Sequence, residues 1–148
     1  MSLPSDDLVS PFTLEYTYKR STGPVIGRFL AGLRDGQLLG VRTLAGDVLV
    51  PPTEYEPTTG AAVTEEFVEV GPEGTVSTWT WISNPGPKDP VSAPFAWAMV
   101  HLDGASTPML HVVLSPEATL KTGVRVRAKF AETRVGHIRD LAGFEVIA

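Results

Sequence analysis

The chain has 148 residues, 12 Lys plus Arg against 17 Asp plus Glu, a formal net charge of −5 and no cysteine. That length suits one domain with a core of its own, and the missing thiols exclude disulfides and thiolate metal centres. With 14 Gly and 13 Pro, the chain carries too much punctuation for a helical bundle and suits short strands joined by turns.

Residues 1–11 are rich in Ser, Asp and Pro without periodicity and read as a mobile leader. Phe12 to Lys19 alternates Phe12, Leu14, Tyr16 and Tyr18 with polar residues, a short strand or an extended arm with one apolar face. Ser21-Thr22-Gly23-Pro24 supplies hydroxyls for capping and a proline for the first helical position. Val25, Ile26, Phe29, Leu30 and Leu33 then share one helical face until Asp35-Gly36, which predicts a helix over 24–35. The region from Leu38 to Gly60 has short apolar pieces broken by turn residues and Pro51-Pro52, as in a small irregular hairpin module. Strands follow: Phe67 to Val70, Thr75 to Ile82, Phe95 to Leu102, Met109 to Leu114, Val124 to Phe130 and Phe144 to Ile147. Five or six strands with no helix between them predict a barrel.

Two strands are informative. Phe95 to Leu102 is apolar on both faces, so one side fills the barrel and the other is covered. Val124, Val126, Ala128 and Phe130 alternate with Arg125, Arg127 and Lys129, giving one core face and one wet basic face. Asp103-Gly104 is a hairpin turn signal. No apolar run nears the roughly 18 residues of a membrane span, and the expectation is a soluble, cytoplasmic protein.

The order of helix, Pro-Pro module and barrel with a central apolar strand ending in Leu102-Asp103-Gly104 resembles the domain of unknown function 35 family, acyl-CoA-associated OB-fold proteins with an N-terminal zinc ribbon. The likeness covers residues 12–148. The family ribbon reads Cys-x-x-Cys-Gly, Pro-Pro, then Cys-Pro-x-Cys-Gly; here Gly46, Pro51, Pro52, Pro57 and Gly60 match. Its four cysteine positions hold Arg42, Ala45, Glu56 and Thr59, which cannot form a tetrahedral zinc site. Losing the metal removes a large contribution to folding, and an Arg42 to Glu56 ion pair with packing by Leu44, Val48, Leu49 and Val50 is the expected replacement. The resemblance implies three parts: an arm and helix over 1–37, a metal-free, rubredoxin-like ribbon remnant over 38–63, and an OB-fold-like barrel of five to six strands over 64–148.

The same resemblance implies a non-catalytic accessory subunit of a thiolase-superfamily enzyme, an acyltransferase or retro-aldolase of acyl-CoA and of lipid or steroid metabolism. Such a subunit shapes or stabilises its partner's acyl-CoA site, has no cofactor of its own, and works in a hetero-oligomer with a thiolase-like or lipid-transfer-like subunit. The alternating face of the arm and helix makes Tyr16, Tyr18, Ile26, Phe29, Leu30 and Leu33 the candidate partner contacts, with packing against the chain's own barrel as the competing reading.

Residues 121–139 hold six basic groups against one acidic, leaving −10 for the rest of the chain. Alternate strand residues lie about 7 Å apart, near the spacing of successive phosphates. Arg125, Arg127 and Lys129, with Arg134, are therefore candidate ligands for the phosphates of a coenzyme A thioester, and define an alternative, a stand-alone acyl-CoA-binding module. A solvated face balanced by acidic neighbours is the blander reading of the same residues.

A second alternative is an OB-fold single-stranded nucleic-acid binder stacking bases on Trp79, Trp81 and Trp97, which the acidic total disfavours. A third is an enzyme built on His101 and His111, set opposite one another by the Asp103 to Pro108 hairpin, with Asp103 nearby. No nucleophile pattern, nucleotide fingerprint or third metal ligand at a fixed offset supports it, and the acidic cluster Glu65, Glu66 and Glu69 reads as a solvated face.

Overall fold

The computed structural model describes residues 10–148, so most of the predicted leader lies outside the described residues. Residues 10–22 carry neither helix nor strand. Helix α1 runs Gly23–Arg34, one residue earlier at each end than the spacing predicts, with Pro24 in its first turn. Its hydroxyl cap differs from expectation: the Thr22 side chain makes no capping bond, and the Gly23 N–H donates to Ser21 Oγ at 3.3 Å.

Two β systems follow. In the smaller, β1 (Leu38–Arg42) lies between β2 (Val48–Leu49) and β3 (Phe67–Val70), all antiparallel. Phe67–Val70 was expected among the barrel strands; instead Leu38 faces Val70 and Val41 faces Phe67, so the small sheet extends past the boundary drawn at residue 64. The reason is a pairing that crosses more than twenty intervening residues, which no local pattern announces.

The larger system comprises β4 (Glu73–Ile82), β5 (Phe95–Leu102), β6 (Met109–Val113), β7 (Arg125–Phe130) and β8 (Leu141–Val146), closed in the order β4-β5-β6-β8-β7. This is the five-stranded OB arrangement expected, with β6 and β8 joined in parallel through Val113 and Phe144. A short 3₁₀ turn at Ile138–Asp140 leads directly into β8.

Alternation places Ala96, Ala98, Val100 and Leu102 of β5 inside, opposite Val76, Met109 and Val113, and all seven are buried. A bulge between Val76 and Thr78 shifts the register, so that Val76 faces Val100 while Trp79 and Trp81 face Ala98 and Ala96 on the same inner side. Phe144 and Leu141 of β8 complete the core at 0% and 1% exposure.

The two systems are stitched together at the β5–β6 turn. Ser106 Oγ and Thr107 Oγ1 accept from the Val48 and Val50 N–H groups, each at 2.9 Å, and Ser106 N–H donates to the Val48 carbonyl at 2.8 Å. α1 lies on β1 and buries Phe29 and Leu33 there.

Candidate functional site

The positions where the resemblance puts cysteines form two turns. In the first, the Thr43 N–H donates to the Asp47 carbonyl, the Gly46 N–H donates to the Thr43 carbonyl, and the Thr43 hydroxyl accepts from the Asp47 N–H. Gly46 sits there at φ +95°, a left-handed conformation that side chains resist. In the second, the Glu56 carboxylate accepts from the Thr58 N–H at 3.0 Å and the Thr59 N–H at 2.9 Å, and from the Thr59 hydroxyl at 2.5 Å. Gly60, at φ +73°, then donates to the Glu56 carbonyl. A side-chain acceptor collecting N–H groups two and three residues ahead closes a turn locally, without a metal. The Thr59 hydroxyl, then the Thr58 N–H, hold the Glu56 carboxyl below its ordinary value.

The expected Arg42 to Glu56 ion pair is not formed. Arg42 instead pairs with Glu66 at 3.0 Å and donates to the Gly46 carbonyl at 3.0 Å, because Glu56 is held by its own turn. Leu44, proposed as packing, is 77% exposed, whereas Val48, Leu49 and Val50 are buried as proposed. Among the described residues, no group of three His, Cys, Asp or Glu side chains is placed to hold a metal ion.

The basic strand face forms as predicted on β7, but every rung has a carboxylate partner. Arg125 pairs with Asp103 at 2.5 Å and with Glu73 at 3.3 Å; Arg127 pairs with Glu73, its direct neighbour across β4; Lys129 pairs with Glu145 at 2.9 Å. Three cations thus meet three carboxylates in a cross-strand ladder. Hydrogen bonding by Arg127 and Arg125 lowers the Glu73 carboxyl, that of Arg125 lowers Asp103, and these carboxylates raise Arg125 further. Arg134 stands apart from the ladder: its Nε donates to the Arg34 carbonyl at 2.9 Å and its Nη1 to that of Ala131 at 3.1 Å, so it closes the C-terminal end of α1.

Of the six candidate partner contacts, Phe29 and Leu33 are 3% and 0% exposed and belong to the core, a correction to their assignment: α1 covers its apolar face with its own sheet. Leu30 is partly buried against the same core. Tyr16, Tyr18 and Ile26 remain open at 77%, 81% and 43%, with Phe12 and Leu14 beside the tyrosines at 82% and 64%. Four large apolar side chains on one arm without secondary structure are the most exposed apolar group of the described residues.

His101 and His111 are not opposite one another. The β5–β6 register sets His111 against Ala98, and His101 lies beyond the Val100–Met109 pair. His101 is exposed with Nε2 2.7 Å from the Ala105 carbonyl, whereas His111 is buried. Trp79 and Trp81 pack against the core instead of forming an open stacking platform.

One feature had no forerunner in the sequence reading. The turn Val135–Asp140 is organised by the Asp140 carboxylate, which accepts from the N–H groups of Val135, Gly136 and His137. Burial alone would raise this carboxyl; the three N–H groups outweigh it and hold it below its ordinary value. The spacing His137-x-x-Asp140, a reciprocal cap, was its one local signal. Beside this turn lies a largely apolar cavity of about 570 Å³.

Fold and site together define an OB-fold protein carrying an N-terminal helix and a small sheet whose turns close through side chains. Residues 67–131 match the family model described as the ChsH2 C-terminal OB-fold domain. A DUF35-family protein of unknown function from Sulfolobus solfataricus is similar in structure, with 20% identity and a TM-score of 0.61 over 84% of this chain and 83% of that one. A chain of the Ltp2-ChsH2(DUF35) aldolase is similar at 16% identity and a TM-score of 0.64, over 86% of this chain and 98% of its own. These two likenesses are likenesses of fold. The comparison with curated proteins gave no match. Residues 67–131 thus form an OB-fold domain, and the fold of the chain is similar to that of two DUF35 proteins, in line with the resemblance read from the sequence.

Proposed function

We propose that this protein is a non-catalytic accessory subunit of a thiolase-superfamily enzyme acting on acyl-CoA, and that the arm of residues 12–18 is its principal contact with that enzyme. The observation that carries the reading is the likeness to the DUF35 chain of an aldolase complex, which spans nearly all of that chain. The exposed Phe12, Leu14, Tyr16 and Tyr18 support it, because interfaces are enriched in aromatic side chains and a free arm gains by ordering on a partner. Ile26 of α1, 43% exposed, is a further contact in this reading. The basic strand gives the stand-alone coenzyme A reading less support, since its charges already face carboxylates.

Co-expression with a thiolase-like subunit encoded beside it is expected to give one complex on size exclusion, while the protein alone shows no turnover of acyl-CoA substrates. Replacing Tyr16 and Tyr18 by Ser is expected to weaken the complex by about tenfold or more, the scale of losing one or two aromatic contacts, with the melting temperature of the free protein unchanged. Separate elution of the native pair at micromolar concentration overturns the proposal.

A further inference from the structure

The cavity beside the Val135–Asp140 turn lies between β6 and the start of β8, where Trp97, Leu110, Val112, Leu114 and Leu141 form apolar walls and Pro90 and Val91 of the β4–β5 loop close one side. Its volume, about 570 Å³, falls in the range of small-molecule sites, which combine apolar walls with a few convergent polar groups.

His111 faces Ala98 on the inner side of the barrel, edge-on to Phe144, and its Nδ1 is closed to any occupant. One cation lines the cavity. Arg139 is exposed, and no ion pair among the described residues includes it, unlike the cations of β7. The wall that carries Arg139 is fixed by the three N–H bonds to Asp140, so the site is formed before anything enters it.

We propose that this cavity binds a small apolar monoanion of the aliphatic carboxylate type. The hydrocarbon body lies against Trp97, Leu110 and Leu141, and the carboxylate meets Arg139. A protein segment is the less fitting occupant, because one guanidinium outside any ion pair beside apolar walls asks for a single charged head, not for a run of peptide groups. The inference stands apart from the subunit reading, which concerns the arm.

Dodecanoate is the probe, titrated into the full chain by calorimetry and followed by tryptophan fluorescence, since Trp97 lines the cavity. Saturable binding of one dodecanoate per chain is expected. Arg139→Ala is expected to weaken it roughly five- to tenfold, the scale of one charge-assisted contact, while leaving binding of the uncharged dodecanol unchanged. Ala142→Phe, which fills the cavity, is expected to abolish binding; should that variant unfold, Leu110→Glu at the exposed wall is expected to weaken dodecanoate instead. No saturable binding by the native chain overturns the proposal, as does binding that survives both Arg139→Ala and the cavity substitution. Loss of assembly with a thiolase-like subunit in Ala142→Phe, with no dodecanoate bound by the native chain, makes the cavity a protein seat and also overturns it. Failure of the subunit reading shows in elution of the native pair and leaves the titration untouched.

Discussion

The barrel and the small sheet solve the same problem by different means. The barrel closes five strands on a core of Val76, Val100, Leu102, Met109, Val126 and Phe144, all at 1% exposure or less, and its cohesion is collective. The small sheet has one strand of two residues and two exposed turns; Leu38, Val48, Val50 and Val70 join it to the common core, and its turns and edge are held by individual hydrogen bonds: Glu56 in its own turn, and Ser106 and Thr107 reaching over from the barrel. A zinc ribbon concentrates that work in one ion. Here the turns and the β2 edge rely on single side-chain contacts, so damage there should be local and graded, whereas damage to the barrel core should be global.

The sharpest contrast comes from the barrel. Phe144→Ala is expected to lower the unfolding free energy by about 3–5 kcal/mol, the usual cost of emptying a buried aromatic site, as read from urea unfolding with all probes moving together. Thr107→Val, which keeps the shape but leaves the Val50 N–H without its acceptor, is expected to cost about 1–3 kcal/mol. Its signature is faster hydrogen exchange at Val48 and Val50, with the barrel amides unaffected; equal acceleration in both regions would erase the distinction.

Glu56→Gln tests the turn through pH. The folded carboxyl is held below its ordinary value of 4.5, so the stability it contributes is present above that value and is lost as pH falls through the lowered folded value. The melting-temperature difference between native and Glu56→Gln chains is therefore expected to be constant near neutrality and to shrink below about pH 4.5. A difference that persists unchanged at pH 2.5 to 3 would assign the turn to shape alone. The smallest effect belongs to Lys129→Ala: its pair with Glu145 is about half exposed on both sides, and its removal is expected to cost about 0–1 kcal/mol and to fade with salt.

The barrel strands were legible because their alternation is local: Val126, Ala128 and Phe130 against Arg125, Arg127 and Lys129 fixes both faces of β7 from six consecutive residues. The turn glycines were equally plain. What escaped was whatever depends on distant partners. The basic run looked unbalanced because Glu73 and Asp103 lie 52 and 22 residues from Arg125, so a window of sequence counts the cations without their counterions. Phe29 and Leu33 presented an apolar stripe correctly, but periodicity reveals only that a stripe is covered, not what covers it. His111 gave no sign of its surroundings for the same reason.

The hydroxyl stitches at β2 also bear on how copies of this chain behave toward one another. Val48 and Val50 point their outer N–H groups at Ser106 and Thr107, and the Val48 carbonyl is taken by the Ser106 amide. A bare outermost strand invites a neighbouring molecule to dock alongside and continue the sheet; on the β2 side the β5–β6 turn occupies that berth, and the protein can be crowded without that edge seeding polymer growth.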